Sequence, residues 1–184
     1  MKKVIFGFTG LIACGKGTAA KYLEEKYNAS TYRFSTMLRD VLDRFYLPHT
    51  RENMVSMSEY IRNKHGEDIM AKTMAKDVEN DTNDVIIVEG IRRMADIEYL
   101  NTLPNFVLVK IEATPEKRYE RIIQRGENSD DNTKTYEEFL KDHERPTEMT
   151  IPEVMGHATE TVNNETDLQD FQGQLDHLVK KYTE

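Results

Sequence analysis

A chain of 184 residues is long enough to bury most of its surface in one domain without disulfides or structural metals. Its 33 acidic against 25 basic residues give a formal net charge of -8, which excludes gripping a nucleic-acid backbone by bulk electrostatics and requires any basic site to be local. The single cysteine, Cys14, rules out a disulfide framework or cysteine zinc site within one chain, and the five histidines without an H-x-x-x-H pair predict no histidine metal site.

The apolar run Val4-Ile5-Phe6-Gly7-Phe8 predicts a buried strand, followed by Gly10-Leu11-Ile12-Ala13-Cys14-Gly15-Lys16-Gly17-Thr18. The pattern G-x-x-x-x-G-K puts glycines where a chain wraps closely round a phosphate group. Successive N–H groups then converge on the anion, and Lys16 reaches the β- and γ-phosphates. The next helix points the positive end of its dipole at the same anion. A Ser or Thr whose hydroxyl ligates magnesium commonly follows the lysine; here Gly17 stands there and Thr18 comes one place later.

Ala19, Ala20, Leu23 and Tyr27 predict a helix ending near Asn28. A short strand is expected over 31–34. Ser35 or Thr36 then caps a helix with Met37, Leu38, Val41, Leu42 and Phe45 on its core face, stopped by Pro48. Residues 50–80 read as two helices divided at Gly66, their methionines filling gaps in packing. Residues 81–84 form a turn, and Val85-Ile86-Ile87-Val88 suits the middle of a parallel sheet, leading into Glu89-Gly90-Ile91-Arg92-Arg93. A further buried strand is expected over 106–111. Thr114-Pro115-Glu116 opens a helix that turns Tyr119, Ile122 and Ile123 inward, sets Arg121 and Arg125 on one face and ends at Gly126.

Thr135-Tyr136-Glu137-Glu138 spells a capping box before a short helix ended by Pro146, and Thr150 to Glu153 repeats the spelling. A weak strand over 157–164 precedes a last helix with Leu168, Phe171, Leu175, Leu178 and Tyr182 on its buried face. This alternation predicts an α/β, three-layer fold, a five-stranded parallel sheet flanked by helices. The single domain 1–184 divides into a core (1–48, 82–126, 150–184), a helical acceptor-binding insert at about 49–81 and a short lid at about 127–149. The phosphate loop sits at the carboxyl edge of the first strand, where such sheets bind ligands.

Phosphoryl transfer asks a protein mainly to position two substrates and neutralise charge, which takes a lysine, a metal and several arginines. Lys16 is the lysine. Glu89, at the tip of an apolar strand, is placed to hold a metal's water shell. Arg92, Arg93, Arg121 and Arg125 offer forks that match phosphate oxygens bidentately.

The spelling G-K-G-T resembles the loop of adenylate kinase and its nucleoside monophosphate kinase relatives. Phe34-Ser35-Thr36-Met37-Leu38-Arg39 resembles that family's monophosphate-holding segment. Val88-Glu89-Gly90-Ile91-Arg92-Arg93 is similar to its D-G-F-P-R, with Glu for Asp at 89 and without the proline. Arg121-Ile122-Ile123-Gln124-Arg125 matches the arginine pair before the lid, and Val162-Asn163-Asn164 resembles the strand and turn beside the donor base. In the lid, Asn128-Ser129-Asp130-Asp131 stands where the family has an arginine and two aspartates.

The resemblance makes the expected α/β sheet a P-loop kinase fold and implies nucleotide binding by Gly10, Ala13, Cys14, Gly15, Lys16, Gly17, Thr18, Arg121 and Asn163. It implies acceptor binding by Ser35, Thr36, Arg39, Arg92 and Arg93, catalysis by Lys16, Arg93 and Arg125, a lid arginine at Arg145, and magnesium held by Thr18 and, through water, Glu89. The expected reaction moves the γ-phosphoryl of Mg-ATP to a nucleoside or deoxynucleoside monophosphate. Dephospho-CoA kinase is the alternative, but its alcohol acceptor wants a carboxylate base after strand two, where this chain reads Arg33-Phe34-Ser35-Thr36 with no acid before Asp40. A regulatory NTPase is more distant. The expected partners are small nucleotides, with neither nucleic acid nor membrane, in a cytoplasmic monomer or homodimer; no apolar run approaches a membrane span and no leader cleavage site follows the N-terminal lysines.

Overall fold

The computed structural model describes residues 2–125, 134–144 and 146–184, without the side chains of residues 51, 125, 146 and 147. Five strands, β1 (Val4–Thr9), β2 (Ser30–Arg33), β3 (Val85–Ile91), β4 (Phe106–Glu112) and β5 (Glu160–Asn163), form one sheet in the order β2-β3-β1-β4-β5. Every pairing is parallel. The helices are α1 (Lys16–Tyr27), α2 (Phe34–Arg44), α3 (Arg51–His65), α4 (Ile69–Asn80), α5 (Met94–Glu98), α6 (Pro115–Arg125), α7 (Tyr136–Lys141), α8 (Pro146–Met149), α9 (Ile151–Gly156) and α10 (Leu168–Thr183).

Strand periodicity of two divides the core into two layers. Val4, Phe6 and Phe8, with Val85, Ile87, Val107 and Val109, face α1 and α10, where they meet Leu23, Phe171 and Leu175. Ile5, Ile86, Val88 and Leu108 face the opposite side and meet Leu38, Met74 and Val78. Apolar residues on both faces explain why these strands read as unbroken hydrophobic runs. The segment expected to form an acceptor insert is two helices of unlike burial. Met70, Met74 and Val78 of α4 belong to the sheet's second core layer, whereas α3 has no fully buried residue among those described. Gly66, at φ 105°, closes α3 between them. No helix among the described residues is long and apolar enough to cross a membrane.

Several local expectations are corrected. Strand β2 ends at Arg33, and Phe34, turned into the core, is already the first residue of α2. Neither Ser35 nor Thr36 caps that helix; Arg33 occupies the cap position, and the Ser35 hydroxyl accepts from Arg39 Nη1 at 2.8 Å. The Thr135 capping box forms, but Pro146 opens α8 instead of ending a helix, a place that suits a residue without an N–H. Thr150 makes no cap bond because its backbone is helical (φ -85°, ψ -16°) where a capping side chain needs an extended residue. Leu168 is 56% exposed: the apolar stripe of α10 begins to pack only at Phe171, one turn later.

Candidate functional site

The loop between β1 and α1 is held in a conformation that only certain residues accept. Gly10 (φ 147°) and Gly15 (φ 113°) lie in the left-handed region, and Ala13 (φ 60°) shares it. A side chain at Gly10 would press on the Ile111 carbonyl and Cys14 Sγ, and one at Gly15 on the Asn164 amide. Helix α1 begins without a side-chain cap and without an acid in its first turn, so its first N–H groups and positive dipole end are left for an anion. Lys16 Nζ donates to Gly10 O (2.6 Å) and Leu11 O (3.1 Å).

Three side chains brace this loop from the β4 and β5 side. Asn164 Nδ2 donates to Cys14 O at 2.9 Å, and Arg121 Nη2 donates to Asn164 O at 2.7 Å and Oδ1 at 3.2 Å. Asn163, the residue expected here, instead accepts from Glu165 N through Oδ1 and receives Gln174 on its backbone. Strand alternation carried the signal, since Asn164 shares a face with buried Val162.

Arg118, unforeseen from sequence, is 3% exposed and is the third brace. Its Nε donates to Ala113 O (3.1 Å), and its Nη1 donates to Ile12 O (3.3 Å) and lies 2.6 Å from His143 Nε2. Its guanidinium lies 5.3 Å from the centre of the Phe139 ring. Its place one turn before Ile122, on the buried side of α6, was the available clue.

Across the loop, Glu89 is 8% exposed and lies inside β3, not at the tip expected from sequence, because the strand runs on to the buried Ile91. Arg33 Nη2 donates to both of its oxygens, at 3.2 and 3.1 Å. A Cβ built on Gly17 would lie 3.8 Å from Glu89 Oε2, so this carboxylate faces the start of α1. Thr31, Tyr32, Arg33, Thr36 and Glu89 line a cleft of about 160 Å³ here. Thr18 is exposed on the first turn of α1.

The remaining expected acceptor residues are dispersed. Arg92 Nη1 donates to Glu148 Oε1 of α8 at 3.0 Å, and Arg92 does not line the cleft. Arg93 Nη2 lies 3.4 Å from Asp96 Oδ1, while Asp96 Oδ2 accepts from the backbone N–H of both Arg92 and Arg93. Arg62 of α3, also unforeseen, donates to Ser58 Oγ and Glu67 O; burial and the nearby Arg93 charge hold its pKa below the usual arginine value. Arg125 closes α6 with its side chain outside the description, and Arg145 lies outside the described residues.

Magnesium fits this donor set in one way. Among the described residues no group of three or more His, Cys, Asp or Glu side chains is arranged to hold a metal. Magnesium keeps most of its waters and takes one or two carboxylates plus substrate phosphates, which a single carboxylate such as Glu89 beside a phosphate loop can serve.

The parallel sheet, the glycine loop opening α1 and the cations around it define a P-loop kinase-like α/β protein. A family model described as an AAA domain matches residues 9–139, and the chain belongs to that family. It is 27% identical to a UPF0200 protein of Methanocaldococcus jannaschii, over 97% of this chain and 90% of that protein. A UPF0200 protein of Sulfurisphaera tokodaii is likewise 27% identical, with 96% of each chain covered. Among solved structures, TT1252 from Thermus thermophilus superposes with a TM-score of 0.63 at 15% identity over 100% of both chains. A shikimate kinase from Bacteroides thetaiotaomicron does so with a TM-score of 0.57 at 17% identity over 97% of each. These matches support the P-loop kinases broadly and do not single out adenylate kinase.

Proposed function

We propose that the protein is an ATP-dependent phosphotransferase whose acceptor is a nucleoside or deoxynucleoside monophosphate. The observation that carries this reading is the end of β2, where Arg33 stands and engages Glu89. An alcohol acceptor needs a carboxylate base in reach of its hydroxyl, whereas a phosphate acceptor is already anionic and needs cations. Asp40, the first acid after β2, lies within electrostatic reach of Asp77 of α4 and does not line the cleft. Arg62 and Arg93 lie close enough to feel each other's charge, and both feel the Asp96 carboxylate, so an acceptor phosphate here would share two guanidiniums with Asp96.

In this reading the loop N–H groups and Lys16 bind the donor phosphates, and Glu89 and Thr18 orient magnesium, which neutralises charge on the phosphates. Arg93, with Ser35, Thr36 and Arg39, receives the acceptor phosphate, and Arg125 serves the transferring group. The test is ADP release from Mg-ATP against ribo- and deoxyribonucleoside monophosphates, dephospho-CoA and a no-acceptor control. Stimulation by a monophosphate is expected. Stimulation by dephospho-CoA alone, or release indifferent to every acceptor, would overturn the proposal.

A further inference from the structure

Cations on the two sides of the site are neutralised differently. Arg33 at the end of β2, and Arg92 and Arg93 just after β3, each rest on a carboxylate, at 3.1, 3.0 and 3.4 Å from Glu89, Glu148 and Asp96. On the loop side Lys16, Arg118 and Arg121 have no carboxylate at ion-pair distance among the described residues. Their hydrogen-bond partners are backbone carbonyls, the Cys14 sulfur, the Asn164 side-chain oxygen and a histidine ring.

The contrast is sharpest at Arg118. A guanidinium withdrawn from water to 3% exposure, with no carboxylate at ion-pair distance among the described residues, is unfavourable: burial lowers its pKa from the ordinary arginine value, and the more distant Glu148 and Glu116 charges offset that only in part. The Ala113 and Ile12 carbonyls, the His143 ring and the face of Phe139 offset that cost only in part, because none of them carries a negative charge. Cys14 is within electrostatic reach of Arg118, and its Sγ is 3.6 Å from Lys16 Nζ, so both cations flank one loop residue. Arg121 Nη1 adds a buried donor without a partner among the described residues.

We propose that Arg118 is a donor-site residue, which together with Lys16 and Arg121 receives the polyphosphate of the nucleotide bound in the 10–18 loop. The inference rests on reading that loop as a nucleotide site. Its neutral partners hold the guanidinium in place before the anion arrives, so little side-chain ordering remains to be done on binding. His143, just after α7, makes the same arginine a link between the loop and the 134–144 segment.

Inorganic tripolyphosphate isolates this contact, since it needs neither acceptor nor turnover. Its affinity, with that of Mg-ATP, is measured by calorimetry for the wild type, Arg118→Lys and Arg118→Gln. The glutamine variant, which keeps a donor but no charge, is expected to bind both ligands at least about tenfold more weakly, and the lysine variant to recover most of the loss. Wild-type affinity in Arg118→Gln, or equal weakness in both variants, overturns the proposal. If either variant fails to fold, the nitrogen resonance of Arg118 Nε in the wild type decides: a shift on adding tripolyphosphate supports the contact and an unmoved signal overturns it. Failure of every acceptor in the turnover assay alongside intact tripolyphosphate binding would separate an incorrect acceptor from an incorrect donor site.

Discussion

Arg33 and Glu89 face each other directly in the β2–β3 register, and one guanidinium nitrogen of Arg33 reaches both carboxylate oxygens, at 3.2 and 3.1 Å. The pair closes the cleft side of the loop and fixes the Glu89 oxygens against the first turn of α1. Its contribution to folding is small, because the Arg33 side chain is 45% exposed and solvent screens the attraction.

Glu89→Gln is therefore expected to alter stability by no more than about 1 kcal/mol while raising the apparent magnesium requirement of turnover roughly 10–100-fold. Thermal unfolding and a magnesium titration of ADP release read the two effects separately. An unchanged magnesium requirement would remove Glu89 from the metal's surroundings.

Asn164 holds the loop through the Cys14 carbonyl and is itself held by Arg121. Asn164→Ala leaves a buried carbonyl without its donor, which costs about 1–3 kcal/mol. The melting temperature should fall roughly 2–4 °C for each kcal/mol in a chain of this size, and Mg-ATP affinity should fall with it. Asn163→Ala, on the exposed side of the same strand end, should leave nucleotide affinity unchanged. Equal losses from the two substitutions would mean that the loop is not braced through Asn164.

Legibility from sequence followed the reach of each signal. The sheet was readable because Val4 to Phe8 and Val85 to Val88 are apolar on both faces, and the loop because its glycines answer to local backbone geometry. Asn164 and Arg118 were not recognised because their roles depend on residues far along the chain, Cys14 at a separation of 150 and Ile12 at 106. Arg92 and Arg93 look equivalent as neighbours, yet consecutive residues leave a strand in different directions, and the fold gives one to Glu148 and the other to Asp96. Capping boxes were legible only where the cap residue adopts extended backbone, as Thr135 does (ψ 161°) and Thr150 does not (ψ -16°).

A polar cluster ties α1 to α10 behind the loop. Asp176 accepts from Tyr22 and Tyr27 at 2.8 Å each and from Lys26 at 2.7 Å. Burial pushes the Asp176 pKa up, but the hydrogen bonds from Lys26, Tyr27 and Tyr22 outweigh it and leave the carboxyl below its usual value. A depressed folded-state pKa gives stability that is present above the unfolded value, near 4, and lost as pH falls through the folded value. Tyr27 is raised to about 12 by burial and by Asp176, so its contribution is complete below about 10 and lost as pH climbs toward that value. The melting-temperature gap between wild type and Asp176→Asn should thus be widest near neutrality and shrink below about pH 4 and above about pH 10. A gap constant from about pH 3 to about pH 11 would contradict this assignment.

Phe139 anchors α7 against α6. It is fully buried and packs against Tyr119 at 5.7 Å and His143 at 4.9 Å between ring centres, with Arg118 over its face. Phe139→Ala removes that anchor, a change worth about 3–5 kcal/mol where a core cannot collapse into the space. The aromatic packing around this ring joins α7 to α6 and does not involve the five strands, so the damage should be local. Hydrogen exchange should accelerate in α7 and the 142–144 turn while the amides of β1 and β3 keep their protection. Uniform loss of protection across the sheet would show instead that the 134–144 segment and the sheet unfold as one cooperative unit.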